Sequence, residues 1–206
     1  MLKLIALITM IIDHVGYFWG IEIFRIIGRL SFPIYCFLIA RGVKKTKNIR
    51  KYMIRLLMLA IVSQFIWKYT GSNILNVLFT YFLFVQMIYF IKNKNYVLAS
   101  VVGMFSLLLS PMLDYSLYGF ILLFVFYYIE DFKVIGILMA SFILYFQYQG
   151  VLLSVSLFSL FSILIIKKYD KPKYYKQFKK YNKLFYIAYP LHLMILFELY
   201  KILLFI

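Results

Sequence analysis

Residues 2–20, LKLIALITMIIDHVGYFWG, decide the fold class of this chain. The stretch can cross a bilayer as one helix, because such a helix needs about 20 predominantly apolar residues. It nevertheless carries Lys3 near its start and the pair Asp13-His14 in its interior. Ionisable side chains in a membrane-length segment are costly and by default mark a pathway or a site. The stretch therefore predicts a membrane helix that performs chemistry or transport.

The composition extends this prediction to the whole chain. Of its 206 residues, 65% are hydrophobic, and the mean hydropathy is +0.90. An average soluble domain is nearer to half apolar, so the class is an integral membrane protein. No polar stretch is long enough to form a separate soluble unit, so residues 1–206 are predicted to form a single membrane domain.

Apolar runs bounded by charged or turn residues predict an all-α, polytopic transmembrane bundle of about nine helices. The runs lie near 2–20, 24–43, 50–69, 74–91, 96–110, 116–130, 133–149, 150–166 and 184–204. The four runs from 96 to 166 are shorter than a usual span, which lipid thinning or burial among other helices tolerates.

The distribution of lysine and arginine predicts the orientation. The basic loop 41–51, RGVKKTKNIRK, is expected in the cytoplasm. Alternating outward from it places the other Lys/Arg-rich loops on the same side, the N-terminus inside and the C-terminus outside. The richness in Ile, Lys, Tyr, Phe and Asn suggests an AT-rich bacterial genome. Together with the apolar runs, this predicts a multi-pass protein of a bacterial plasma (inner) membrane.

The net charge of +16 would suggest nucleic acid in a soluble protein, but here it reflects cytoplasmic loops attracted to anionic membrane lipids. We therefore expect no nucleic-acid partner. The single cysteine, Cys36, excludes an internal disulfide. The first apolar run lacks a small-residue cleavage site and is read as a retained helix. The sequence shows no metal-ligand spacing, so no metal is expected.

Lys3 and His14 are 11 residues apart, which is about three helical turns, so they share one helix face at about 16 Å separation. An extended phosphopantetheine arm has a similar length. Lys3 at the cytoplasmic end could hold the phosphates of coenzyme A while the thioester reaches His14. With an unperturbed pKa of about 6.5, a histidine can act as a general base. The alternatives are a snorkelling lysine and a histidine that only packs between helices.

The next apolar run places two arginines on one face, because Arg25 and Arg29 are four residues apart. Asp13 points away from His14 by about 100°, so it could pair with either arginine, orient a partner on another helix or take a catalytic role. Arg25 and Arg29 would support an oxyanion, the acceptor or Asp13. Gly28 would permit a close helix approach, and Pro33 is expected to kink the second helix.

The chain resembles the TraX family of integral membrane acetyltransferases, relatives of acyltransferase family 3. The matching residues are KLIALITMIIDHVG (3–16), FRIIGRLSFPIYCFLIARGVKKTKN (24–48), Lys51-Tyr52, Arg55, Asn73-Ile74-Leu75, Phe79-Thr80, Asp114 to Gly119 and Tyr189-Pro190-Leu191-His192. The family 3 signature of Arg or Lys, ten residues and then His maps onto Lys3 and His14. The resemblance implies that His14 is catalytic and that Lys3 helps to bind the donor.

The resemblance also implies acetyl transfer from cytoplasmic acetyl-coenzyme A to an acceptor at or beyond the outer face. The best-known acceptor in the TraX family is the amino terminus of a conjugative pilin subunit. We therefore expect an amine acceptor on a pilin-like or other peptide. An O-acetyltransferase of an envelope glycan or lipid is the first alternative. A small proton-coupled transporter with Asp13, His14 and Arg29 in its pathway is the second. The sequence does not specify the oligomeric state.

Three further residues are candidates on the donor side. Arg41 and Arg55, near the cytoplasmic ends of the second and third predicted helices, could contact lipid or coenzyme A phosphates. His192 could be a polar contact between helices, a second acid/base group or a donor-orienting group.

Two residues are candidates on the acceptor side. Asp114 and Asn73 could shape the acceptor entrance, or they could be ordinary turn residues.

The tract 167–183, KKYDKPKYYKQFKKYNK, is an interfacial loop with aromatic anchors or an electropositive mouth for an anionic cofactor.

Overall fold

The computed structural model describes residues 1–147, 157–177 and 182–204, and these are helical almost throughout. The helices are α1 (Leu2–Trp19), α2 (Glu22–Gly28), α3 (Ser31–Lys45), α4 (Ile49–Tyr69), α5 (Val77–Lys92), α6 (Tyr96–Leu109), α7 (Ser116–Tyr128), α8 (Phe132–Gln147), α9 (Phe161–Tyr169), α10 (Pro172–Gln177) and α11 (Asn182–Leu204). Within these ranges the only strand-like pairing is an isolated bridge between Leu75 and Leu113. The all-α prediction is therefore confirmed for the described residues.

Most of the predicted apolar runs coincide with helices to within a few residues, because their ends are set by charged and turn residues. The run predicted at 150–166 is an exception, since 150–156 lies outside the described residues. The run predicted at 24–43 is a second exception, because it forms two helices rather than one.

The interruption between α2 and α3 lies at Arg29 and Leu30, a turn before the kink expected at Pro33 itself. A proline ring clashes with the carbonyl four residues earlier, which here belongs to Arg29. The helix ends at Gly28 and restarts at Ser31. Pro33 thus falls in the first turn of α3, where its missing N–H costs nothing.

The chain divides into two compact units, one formed by Met1–Leu38 and Ile129–Ile206 and the other by Ile39–Tyr128. In the first unit, α1 packs against α2, α9 and α11. The prediction of a single membrane domain is not tested by this division.

The hairpin between α1 and α2 is close-packed because glycines lie at its turn. Gly20 ends α1 with φ of 68°, a left-handed conformation that glycine adopts without strain. A Cβ at Gly16 would lie 2.8 Å from the carbonyl oxygen of Ile21. Further along, the hydroxyl of Ser31 donates to the carbonyl of Ala6 at 3.1 Å. Glycine and a short polar side chain therefore let α2 and the start of α3 run tightly along α1.

In the second unit, buried Asn76 organises the start of α5. Its side-chain oxygen accepts from the N–H of Leu78 at 3.0 Å, and its amide donates to the carbonyl of Ala60 and to Gln64 Oε1, both at 2.9 Å. One side chain thus caps α5 and ties it to α4, since polar groups buried in a protein need partners.

Two helical stretches have the length and composition of a membrane span, Leu2–Trp19 and Glu22–Lys45, the latter counted through its interruption. Shorter apolar helices among the described residues cover Val77–Lys92, Tyr96–Met112, Ser116–Tyr128 and Phe132–Leu144. Among the described residues, two helical stretches are therefore long and apolar enough to cross a membrane. The nine crossings stay a prediction.

Candidate active site

The structure places the two histidines of the chain against each other in the first unit. His14 lies in α1 and His192 in α11, 178 residues later, and His14 Nδ1 is 2.8 Å from His192 Nε2. The ring centroids are 4.9 Å apart. His192 is buried, with 7% of its surface exposed. The packing of α1 on α11 therefore creates a pair of hydrogen-bonded imidazoles.

The hydrogen bonds of this pair determine which ring nitrogen of each histidine carries the proton. His192 Nδ1 is 2.9 Å from the carbonyl oxygen of Ala188, and because a carbonyl only accepts, Nδ1 must donate. In the neutral ring Nε2 of His192 then accepts, so the donor across the 2.8 Å contact is Nδ1–H of His14. The lone pair of neutral His14 is consequently on Nε2, and that nitrogen is the basic one.

One residue before His14, Asp13 holds two arginines of the adjoining helix and turn. Arg25 Nη1 is 2.6 Å from Asp13 Oδ2 and also donates to the Asp13 carbonyl oxygen at 3.2 Å. Arg29 Nη2 is 3.9 Å from Asp13 Oδ1. Of the alternatives for Asp13, pairing with the arginines is thus present in the structure. One carboxylate thus faces two guanidinium groups next to His14 in sequence.

Two features hold this ionic cluster together. Gly28 lies directly against Asp13, and a Cβ at Gly28 would be 2.6 Å from Asp13 Cα and closer still to the Asp13 side chain. The absence of a side chain at Gly28 therefore sets the approach of α2 to α1. Arg25 also lies over the ring of Tyr17, with 5.4 Å from the guanidinium carbon to the ring centroid.

At the other end of α1, the N-terminus of the chain lies against the basic tract. The amino group of Met1 is 3.5 Å from the carbonyl oxygen of Tyr174 in α10. The uninterrupted helix between Lys3 and His14 preserves the shared face expected from their spacing. The first turn of α1, which carries Lys3, thus begins beside α10, which lies within the tract 167–183.

The other predicted donor-side residues, Arg41 and Arg55, belong to the second unit. Arg41 is partly buried in α3, and Arg55 is exposed on α4. Arg55 Nε donates to the carbonyl of Lys51 at 3.3 Å, and its guanidinium carbon lies 6.0 Å from the centroid of the Tyr52 ring. Their contribution to donor binding stays a prediction.

The two predicted acceptor-side residues come from loops that pair with each other in the second unit. The N–H of Leu75 donates to Met112 at 2.7 Å, and the N–H of Asp114 donates back to the carbonyl of Leu75 at 2.9 Å. Asn73 is exposed two residues before this pairing, and Asp114 is part of it. The structure therefore brings the two loops together, while a role in acceptor binding stays a prediction.

The contact between His14 and His192 is the part of the site that the sequence did not predict. A histidine in the middle of a long apolar helix is a signal of a polar partner, but nothing in the pattern identifies that partner across 178 residues. In the described ranges, no group of three or more His, Cys, Asp or Glu side chains is placed to hold a metal ion.

Comparisons with known proteins match most of the chain to one protein family. A family model described as TraX protein matches residues 1–200. The chain is also similar to a protein of Dichelobacter nodosus described as "Probable fimbrial assembly protein FimC, serogroup H1", with 36% identity over 69 residues. That alignment covers 31% of this chain and 28% of the fimbrial protein, so less than a third of the relative is matched. No solved structure matches the chain significantly.

Proposed function

The chain belongs to the TraX protein family, and from this premise we propose that it is an integral membrane acetyltransferase. It transfers an acetyl group from cytoplasmic acetyl-coenzyme A to an acceptor amine at or beyond the outer face of the membrane. The observation that carries the proposal is His14, whose basic nitrogen is defined by its hydrogen bonds and which lies beside the Asp13–Arg25–Arg29 cluster. The wider relationship to acyltransferase family 3 stays a prediction.

Apolar side chains on the outside of the helices support a multi-pass location in a bacterial inner membrane. Phe65 of α4, Val97 and Leu108 of α6, and Ile137 of α8 expose between 67% and 77% of their surface. Soluble monomers rarely expose large contiguous apolar patches, whereas lipid-facing helix sides are apolar. The cytoplasmic N-terminus and external C-terminus follow from the positive-inside loops.

In the proposed reaction, the nitrogen of the acceptor amine attacks the thioester carbonyl carbon, and His14 Nε2 accepts a proton from that amine. The resulting oxyanion collapses, the carbon–sulfur bond breaks, and the coenzyme A thiolate takes the proton from His14. The acetylated amine and free coenzyme A are the products, and His14 returns to its neutral form. General base catalysis of this kind contributes about 10²–10⁴-fold to the rate.

The two guanidinium groups of the ionic cluster suit the oxyanion that develops during this attack. Arg25 is bonded to Asp13 at 2.6 Å, whereas Arg29 is 3.9 Å from the same carboxylate. Arg29 is therefore the arginine that lies farther from the Asp13 carboxylate, and it is the better candidate to face the oxyanion. In a low-dielectric site a fixed cation stabilises a developing negative charge far more strongly than it does in water.

The donor binds with its phosphates at the positively charged start of α1. Lys3 and the start of the basic tract supply cations there, and the distance of about 16 Å along α1 to His14 fits the pantetheine arm. Membrane lipids surround the protein. The acceptor is a pilin-like or other peptide N-terminus, which agrees with the description of the D. nodosus relative as a fimbrial assembly protein.

The test is calorimetric binding of acetyl-coenzyme A to the purified protein in detergent, followed by detection of free thiol with a peptide amine as acceptor. We expect micromolar binding that Lys3→Ala weakens at least about tenfold, which is about 1.4 kcal/mol. Lys68→Ala is the matched control, because Lys68 is an exposed lysine in the last turn of α4.

His14→Ala should abolish thiol release while the protein remains folded and binds the donor. Full activity of His14→Ala would exclude the mechanism. Absence of donor binding by folded wild-type protein, together with solute flux in proteoliposomes, would favour a transporter instead. The mass of an acetylated product distinguishes a peptide acceptor from a glycan or lipid hydroxyl.

A further inference from the structure

A chain of two hydrogen bonds leads from the backbone of α11 to the proposed base. The Ala188 carbonyl accepts from His192 Nδ1 at 2.9 Å, and His192 Nε2 accepts from His14 Nδ1 at 2.8 Å. We infer that His192 is a positioning residue that holds His14 as the Nδ1–H tautomer and so directs the basic Nε2 to the reacting amine. This inference rests on the proposed function of His14.

The surroundings of His192 restrict its own ring to this role. The Ala188 carbonyl is one helical turn before His192 on the same helix, so the distance between them is set by α11 itself. The ring is buried, and Tyr189 packs against it with ring centroids 5.8 Å apart. A flip of the ring would place one C–H against the Ala188 carbonyl and another against Nδ1–H of His14, so both hydrogen bonds of the His192 ring would be lost.

The effect on His14 follows from a general rule: the hydrogen bond made by one ring nitrogen of a histidine determines which nitrogen carries the proton. With an acceptor at 2.8 Å from Nδ1, the proton of neutral His14 stays on Nδ1 through the catalytic cycle. When His14 takes the proton of the amine on Nε2, the Nδ1–H bond to His192 remains in place. His192 thus acts through His14 and does not need to exchange a proton.

The same logic explains why Asp13, although adjacent in sequence, is not the orienting group of His14. Its carboxylate is engaged by Arg25 at 2.6 Å and by Arg29 at 3.9 Å. Neighbouring residues on a helix also point about 100° apart, so Asp13 and His14 diverge. The orienting acceptor must therefore come from another helix, and α11 supplies it.

Three variants test whether His192 positions the His14 ring through its hydrogen bond or only fills space in the packing of α11. His192→Leu removes the acceptor, and His192→Gln keeps an acceptor oxygen near the position of Nε2. Leu193→Ala is the packing control, because Leu193 is fully buried on the same helix and makes no polar contact with its side chain. We expect His192→Leu to lower kcat by about 10²–10⁴-fold, with the KM for acetyl-coenzyme A changed by less than about threefold. His192→Gln should recover kcat to within about tenfold of the wild type.

A second measurement does not depend on activity. The chain contains only two histidines, so ¹⁵N-histidine labelling of the full protein in detergent reports just these two rings. At alkaline pH we expect both wild-type rings to be protonated on Nδ1, and we expect His14 to become a mixture of tautomers in His192→Leu. A His14 ring protonated on Nε2 in the wild type would overturn the inference, as would unchanged kcat in His192→Leu. If the wild type transfers no acetyl group, the proposed function fails, while the ring spectrum still decides the positioning role.

Discussion

Substitution of Gly28 by alanine tests whether the close approach of α1 and α2 holds the ionic cluster. The added Cβ would lie 2.6 Å from Asp13 Cα, and an ordinary contact between carbon atoms is about 3.5 Å or more. The two backbones must therefore separate by about 1 Å. The Arg25–Asp13 contact would then lengthen from 2.6 Å to a distance at which little hydrogen bonding remains.

The cost in stability combines three terms. Overpacking costs about 1–3 kcal/mol, and loss of a hydrogen bond between charged groups costs about 1.5–3 kcal/mol. Replacing glycine by alanine in a helix returns about 0.5–1 kcal/mol. We expect a net loss of about 2–4 kcal/mol, because the strain and the broken ion pair partly relieve each other. For a chain of this length the loss lowers the melting temperature by about 4–16 °C.

The assay is thermal unfolding of the purified protein in detergent, followed by circular dichroism. Gly103→Ala is the matched control, because Gly103 is also helical but its added Cβ would meet nothing nearer than Met87 Cε at 3.5 Å. We expect Gly103→Ala to be neutral or slightly stabilising. If Gly28→Ala melts within about 2 °C of the wild type, the argument from close approach is wrong.

Two further substitutions test the polar contacts of each unit. Asp13→Asn leaves Arg25 and Arg29 without their carboxylate, so we expect about 3–5 kcal/mol of lost stability by thermal unfolding, and a double variant that also carries Arg25→Gln should recover part of it. No recovery in the double variant would contradict the pairing. Asn76→Ala removes a buried cap that also donates to Ala60 and Gln64 of α4, so it should cost about 2–4 kcal/mol. Asn95→Ala, at an exposed cap of α6, should cost about 1 kcal/mol. Equal losses for these two variants would show that burial of Asn76 is unimportant.

The helices were the most predictable part of this protein, since each apolar run ends at charged or turn residues that the chain cannot bury cheaply. The interruption at Arg29 and Leu30 was less predictable. A proline disfavours the turn before it, and the sequence does not reveal whether the helix bends through that turn or stops there. In this protein it stops, and Pro33 becomes part of a new first turn.

The amino-acid sequence by itself determined the all-α class, the expectation of membrane helices, and the shared face of Lys3 and His14, because helical period and hydropathy are local properties. Only the tertiary structure showed that Asp13 pairs with Arg25 and Arg29, since this pairing depends on how closely Gly28 lets two helices approach. It also decided the partner of His14. A hydrogen bond to His192, 178 residues away, depends on the packing of α1 on α11, and no local pattern encodes that distance.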